Sequence, residues 1–331
     1  MLKDQSTKYN LIYICYDYTK KLKLYKLTNK YKKIILNKFP NVKFVKFNSK
    51  NKILLKKCEI YWGNLFDTKK LKFLPNLRWV HFGSTGIDRI LGEEKNLSHI
   101  KITNSKNIMN HEMSNLIFAF IFNILKGLKF SFDLANKRKL NRKNYDQIFE
   151  NVKNIENCKF IIFGYGQISK YFIKKLSMFT KEIYVVTNQK NLKNNSVKKF
   201  FFLKNFNFKK FDYDFCINLM PLNKLTKQYF DKNKFNKMTK KLNFINVSRG
   251  LVVNENDLYE ALKNKKINYA ALDVYESEPL SVSSRLLKLN NILLTPHIGA
   301  LSNNYWNKEV ELFKNNLEKF IKKKKLINLI K

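Results

Sequence analysis

An apolar run that passes without a spacer into a glycine pair and a helix-like segment limits this chain's fold more than any other feature. Phe160-Ile161-Ile162-Phe163 leads into Gly164-Tyr165-Gly166-Gln167-Ile168-Ser169. Consecutive aromatic and β-branched residues suit a strand buried on both faces, as in a parallel sheet. Gly164 permits a tight turn, and Gly166 lets backbone approach a phosphate at the helix N-terminus. Ser169 stands where a third glycine would allow close helix–strand packing, and serine is small enough to do the same. Gly164, Tyr165, Gly166, Gln167 and Ile168 are therefore candidate contacts to the pyrophosphate of a dinucleotide.

The pattern around this turn supports the same reading. Strand-like runs recur at residues 183–186, 200–203, 215–219, 242–247, 269–274 and 292–294, with helix-like segments between them. Such alternation means a parallel sheet, here doubly wound with six or seven strands. An earlier series, residues 11–16, 42–47, 59–62 and 77–82, predicts another parallel sheet. Between the two series a helix is expected from Asn110, with Met113, Leu116, Ile117, Phe120, Ile121, Ile124 and Leu125 at spacings of three and four. Residues 136–154 are polar and irregular, and a last helix is expected over 300–321. A length of 331 residues accommodates two such α/β domains.

Composition narrows the class. At 44% hydrophobic and 15% aromatic, the chain has a globular composition and is not a disordered one. Cys15, Cys58, Cys158 and Cys216 are widely spaced, which suggests reduced thiols in a cytoplasm and neither a disulfide framework nor a metal site. The first ten residues are polar and charged, with no cleavable signal in them. The longest apolar stretch, 116–125, is about half of what a membrane-spanning helix needs, so it suits an interior or subunit-interface helix. The formal net charge of +40 invites a nucleic-acid reading. The lysines, however, are spread along the whole chain, as solvated surface residues would be, and no specific nucleic-acid site is expected. The summed field should still attract anions such as dinucleotides and organic acids.

The strand after the glycine turn ends Val185-Val186-Thr187-Asn188-Gln189-Lys190, without an acid. An Asp or Glu at that point would bind the adenosine ribose and repel a 2′-phosphate. Thr187 and Asn188 instead offer hydrogen bonds, and Lys190 a positive charge. This favours NADPH and leaves NADH open.

Three later blocks each follow a strand-like run: Asn246-Val247-Ser248-Arg249-Gly250, then Leu272-Asp273-Val274-Tyr275-Glu276-Ser277-Glu278-Pro279, then Thr295-Pro296-His297-Ile298-Gly299. A parallel sheet gathers such strand ends at one edge. Arg249, Glu278 and His297 form a set suited to a 2-oxo acid. The arginine suits its carboxylate and carbonyl, the histidine is a proton donor, and the carboxylate keeps that donor charged. Glu276 is a nearby rival to Glu278 for the last role.

Taken in order, the glycine turn, Met220-Pro221-Leu222 with Thr226, and these three blocks resemble the D-isomer-specific 2-hydroxyacid dehydrogenases, from about Trp79 to the C-terminus. The resemblance implies two Rossmann-like domains. A flavodoxin-like substrate domain, residues 1–104 completed by 298–331, would carry an inserted doubly wound NAD(P)-binding domain, residues 105–297. It implies reduction of a small 2-oxo acid to a D-2-hydroxy acid, with His297 as general acid/base, Glu278 as its partner and Arg249 as the substrate clamp. Asp273 would lie near the nicotinamide, and Met220, Pro221, Val247 and Ser248 would also contact the cofactor. Backbone N–H groups of the Ser84, Thr85 and Gly86 turn would bind the substrate carboxylate. The helix over 113–125, with the polar stretch after it, resembles the arm through which the family forms homodimers.

The turn over 79–87 resembles the glyoxylate and hydroxypyruvate reductase branch more than the phosphoglycerate branch. Asn115 and Asn107 depart from the glutamate and glycine common in relatives. His81 borders the turn, where lining a pocket and a structural role at a strand end both stay open. A rival from another class is a dehydrogenase-like scaffold that senses NAD(H) or binds nucleic acid. Intact Arg249, Glu278 and His297 favour the enzyme.

Overall fold

The computed structural model describes residues 11–18, 26–90, 92–93, 95–144, 152–210 and 212–330. The chain divides into two compact units, Met1–Ile108 with Leu301–Lys331, and Met109–Ala300. The first unit holds β1 (Ile12–Asp17), α1 (Asn29–Lys38), β2 (Val42–Lys46), α2 (Lys52–Lys56), β3 (Cys58–Gly63), β4 (Trp79–Phe82) and β5 (Lys101–Asn104). Its strands are all parallel, in the order β2-β1-β3-β4-β5, which is the flavodoxin-like order. β4 is buried throughout, as its unbroken Trp-Val-His-Phe run requires of a central parallel strand. β5 was not expected. Its Lys101-Ile102-Thr103-Asn104 run has a single strongly apolar residue, and pairing with β4 supplies what the pattern lacks.

The second unit opens with α3 (Asn110–Lys126) and α4 (Leu128–Asn136). α3 starts where the periodicity placed it and buries Ile117, Phe120, Ile121, Ile124 and Leu125. Side chains of this size are each worth about 1.5–3 kcal/mol when fully buried. Gly127, with φ of 60°, ends α3 in the left-handed conformation, and the two helices meet at 70°. Among the described residues no single helix is long and apolar enough to cross a membrane. Of the polar stretch expected over 136–154, residues 145–151 lie outside the described residues.

There follow β6 (Phe160–Phe163), α5 (Gln167–Leu176), β7 (Ile183–Thr187), β8 (Lys199–Phe202), β9 (Phe215–Asn218), α6 (Lys232–Phe235), β10 (Asn243–Asn246), α7 (Glu255–Lys263), β11 (Tyr269–Leu272) and β12 (Ile292–Leu294). These seven strands form one parallel sheet in the order β12-β11-β10-β9-β6-β7-β8. The chain winds outward from β6 in one direction, then returns to place β9 on its other side. That reversal is a topological switch point, where α/β sheets open a crevice at the strand ends. Ile161 and Phe163 of β6 enter one hydrophobic core, and Phe160 and Ile162 enter another on the opposite face. β11 stops at Leu272 and not at Val274, as the apolar pattern suggested; Asp273 N still donates to Asn246 O at 3.0 Å, while its side chain binds the loop after β12.

The last helix, α8 (Tyr305–Ile321), belongs to the first unit and begins later than the expected Ala300. Phe313 of α8 stacks on Trp62 of β3, ring centroids 3.9 Å apart, and lies 5.1 Å from Trp79 of β4. All four cysteines are buried free thiols.

Candidate active site

At the switch point, Gly164 has φ of +94°, a conformation that L side chains rarely adopt. A Cβ there would lie 2.7 Å from Leu219 O, at the end of the adjoining β9. Gly166 differs. It stands at the N-cap of α5, no side chain caps the helix there, and a Cβ would meet nothing within 4 Å. Bare amides at a helix N-terminus beside open space are what a pyrophosphate requires, so these residues fit a dinucleotide. Gln167 is exposed and Ile168 partly buried on the first turn of α5. Ser169 is buried, and its hydroxyl donates to Gly164 O at 2.7 Å. The serine thus packs as the third glycine would and also pins the turn.

Tyr165 points inward, its ring edge-on to Phe200 at 5.2 Å, and its hydroxyl accepts from Asn194 Nδ2 at 2.8 Å. The backbone of Tyr165 is therefore the part of it placed to meet a ligand. At the end of β7, Thr187 is buried and its Oγ1 accepts from Gln189 N at 3.3 Å, while Asn188 and Lys190 are exposed. Met220 is buried, and Pro221 is exposed in a loop held by Thr226 Oγ1, which donates to Pro221 O at 2.6 Å.

The ends of β9 and β10 carry two buried asparagines that the sequence reading passed over. Asn218 Nδ2 donates to Asn246 Oδ1 and to Ser248 Oγ, both at 3.0 Å, and Asn246 Nδ2 donates to Arg249 O at 3.1 Å. Together they brace the Val247-Ser248-Arg249 turn, in which Val247 is buried. A polar residue closing each of the runs Phe-Cys-Ile-Asn and Asn-Phe-Ile-Asn was the available signal. Gly250 is required by close approach, since a Cβ would lie 1.9 Å from the Tyr275 carbonyl. The Arg249 guanidinium donates from Nη1 to Ser248 O at 2.6 Å.

His297 and Glu278 meet directly, with Nδ1 and Oε2 2.6 Å apart. Glu278 also accepts from Tyr275 N at 3.2 Å. The rival Glu276 turns elsewhere and accepts from Glu255 N at 3.0 Å, at the start of α7. The hydrogen bond to Glu278 raises the pKa of His297, outweighing partial burial and the nearby Arg249 charge. Burial pushes Glu278 up, but its bond to charged His297, the Tyr275 N–H and Arg249 together hold it below the usual range. The pair therefore favours a charged imidazolium beside a carboxylate.

His297 sits at φ of +56°, uncommon for a residue with a side chain. Asp273 holds it there. Its buried carboxylate accepts from Thr295 Oγ1 at 2.6 Å, Ile298 N at 2.8 Å and Gly299 N at 2.7 Å. Both oxygens of Asp273 are thus engaged by the histidine loop. Among the described residues, no group of His, Cys, Asp and Glu could hold a metal ion.

In the first unit, β4 runs into the turn Gly83-Ser84-Thr85-Gly86. Ser84 Oγ donates to Gly86 O at 2.9 Å, and Asn104 Nδ2 to Thr85 O at 2.6 Å. Ser84 and Gly86 are partly buried and Thr85 is exposed. His81 is fully buried beneath the turn, with Nδ1 2.7 Å from Thr103 Oγ1.

A switch-point glycine turn and an imidazole–carboxylate pair at the ends of one parallel sheet suit a nicotinamide-dependent oxidoreductase. A family model for the NAD-binding domain of D-isomer-specific 2-hydroxyacid dehydrogenases matches residues 118–299. A probable 2-ketogluconate reductase of Dictyostelium discoideum is 30% identical over 249 residues, 72% of this chain and 71% of that protein. Glyoxylate/hydroxypyruvate reductase B of Salmonella newport is 46% identical over a shorter stretch of 87 residues, 26% of this chain and 27% of that protein. The fold matches that of a D-isomer-specific 2-hydroxyacid dehydrogenase of Xanthobacter autotrophicus, solved with NADPH and MES. The TM-score is 0.80 at 17% identity, covering 98% of each chain. The chain belongs to the D-isomer-specific 2-hydroxyacid dehydrogenase family, and is an NAD(P)-dependent oxidoreductase of that family.

Proposed function

We propose that the protein reduces a small 2-oxo acid to a D-2-hydroxy acid, with the substrate branch of the glyoxylate and hydroxypyruvate reductases. The 2.6 Å contact between His297 and Glu278 carries this reading. The nicotinamide cofactor, when bound, supplies the hydride. His297 then gives its proton to the oxygen of the reduced carbonyl, and Glu278 stabilises the charged imidazole until that moment. Arg249 binds the carboxylate and carbonyl oxygens with its planar fork. Ser84, Thr85 and Gly86 hold the substrate carboxylate through backbone amides, which makes residues 1–104 and 298–331 the substrate domain. Residues 105–297 form the cofactor domain. Gly164, Tyr165, Gly166, Gln167 and Ile168 meet the pyrophosphate, and Met220, Pro221, Val247, Ser248 and Asp273 lie toward the nicotinamide.

NADPH is the favoured cofactor. No carboxylate stands at the end of β7 to repel a 2′-phosphate, and exposed Asn188 and Lys190 can meet one. The relative from Xanthobacter autotrophicus was likewise solved with NADPH. The protein works in the cytoplasm as a homodimer. Phe122, Leu128 and Phe132 of α3 and α4, with Phe179 just after α5, are exposed large apolar side chains suited to a second copy. Absorbance at 340 nm with glyoxylate, hydroxypyruvate and 2-ketogluconate, using NADPH and NADH in parallel, tests the activity. His297→Ala should lower kcat about a hundredfold or more while cofactor binding persists. Retained turnover in that variant refutes the role of His297.

A further inference from the structure

Glu309 on α8 is fully buried, yet the reaction above makes no use of it. Burying a carboxylate is costly unless hydrogen bonds and opposite charge compensate it. Here they do. Oε1 accepts from Trp62 Nε1 at 2.8 Å and from Tyr18 Oη at 3.0 Å, and it faces His81 Nε2 at 3.4 Å. Oε2 meets the Ser105 hydroxyl. On the far side of His81, Thr103 Oγ1 accepts from Trp79 Nε1 at 2.8 Å. With a carboxylate before Nε2, the hydrogen is assigned to that nitrogen. Tyr18 and Ser105 follow β1 and β5, and Trp62 and His81 lie in β3 and β4. One carboxylate thus gathers the carboxyl ends of four neighbouring strands.

The same elements hold the turn after β4. Tyr305, one helical turn before Glu309, donates to Gly83 O at 2.6 Å. Ser105 N donates to Ser84 O at 3.2 Å, and Asn104 Nδ2 to Thr85 O at 2.6 Å. Gly83 approaches Tyr18 so closely that a Cβ would lie 2.4 Å from its hydroxyl. In a trans peptide the carbonyl of one residue and the N–H of the next point in opposite directions. Drawing the carbonyls of Gly83, Ser84 and Thr85 inward therefore turns the amides of Ser84, Thr85 and Gly86 outward. Successive outward amides form an anion-binding concavity.

We propose that Tyr305 and Glu309 are positioning residues that fix the backbone of residues 83–86, so that its amides present a preformed site for the substrate carboxylate. This rests on the reductase reading above. The test compares wild type, Tyr305→Phe and Glu309→Gln for melting temperature, cofactor affinity, kcat, and KM for glyoxylate and hydroxypyruvate, with oxalate as a dicarboxylate inhibitor. A lost hydrogen bond of ordinary strength should raise KM and the oxalate inhibition constant together, by about five- to tenfold. Both kcat and cofactor affinity should stay within about threefold, because neither group belongs to the cofactor unit. An unchanged KM in Tyr305→Phe overturns the proposal. So does a loss spread equally over KM, kcat and cofactor affinity, or a Tyr305→Phe chain that does not fold, since either makes the contact one of stability alone. If Glu309→Gln does not fold, Tyr305→Phe decides. Wild-type protein that reduces no 2-oxo acid refutes the reductase reading and this proposal with it, whereas active wild type with unaffected variants refutes only the positioning.

Discussion

Asp273→Asn is a nearly isosteric change that should disturb both stability and turnover. The native carboxylate accepts three hydrogen bonds, two from the backbone amides of Ile298 and Gly299 and one from Thr295. An asparagine keeps one acceptor oxygen. If its NH2 replaces Oδ2 it opposes the Gly299 N–H, and if it replaces Oδ1 it opposes the Ile298 N–H. Either orientation sets a donor against a backbone donor that is buried or partly buried. A hydrogen bond to a charged group is worth about 1.5–3 kcal/mol, and an orphaned buried amide adds to its loss. The expected cost is about 2–4 kcal/mol, with part recovered if the loop relaxes. Relaxation would release His297 from its left-handed backbone, which costs about 1–2 kcal/mol to maintain. Urea unfolding should show the lost stability, and kcat should fall at least tenfold because the imidazole is displaced from Glu278. A variant with native stability and native kcat would refute the view that this carboxylate holds the catalytic loop.

The other expectations are as direct. Glu278→Gln removes what raises the His297 pKa, so the alkaline limb of the reduction pH–rate profile should move to lower pH; an unmoved limb would exclude the pair. The native pair stabilises the fold fully between the ordinary carboxylate and imidazole values; that contribution is lost as pH falls through the lowered Glu278 pKa or rises through the raised His297 pKa, as denaturation across pH would show. Gly164→Ala should unfold at lower temperature, because φ of +94° and Leu219 O oppose a Cβ. Gly166→Ala should fold normally but bind dinucleotide at least tenfold more weakly, since its Cβ enters open space before α5; undiminished affinity by fluorescence titration would refute the phosphate site. Thr187→Asp should shift preference toward NADH, and a wild type already preferring NADH tenfold in kcat/KM, about 1.4 kcal/mol, would defeat the charge argument.

The sequence by itself determined most of the elements and the family. Phe160-Ile161-Ile162-Phe163 before a glycine turn is a local signal, and so is the spacing along α3, because backbone geometry repeats within a few residues. Arg249, Glu278 and His297 were legible as candidates because each stands in a block that resembles the family, in the family's order. Tertiary structure decided the pairings. Glu276 and Glu278 are equally good acids in one short segment, and only the path of the chain after β11 turns one to α7 and the other to His297. Asn218 and Asn246 look like ordinary polar ends of strands until β9 and β10 lie side by side. Ser169 shows its second use only when its hydroxyl reaches Gly164 O. Glu309 lies 204 residues from Ser105 and 247 from Trp62, and no local pattern records such a contact. Hydrogen bonds act over about 3 Å of space without regard to sequence distance, so these partners became visible only in the folded chain.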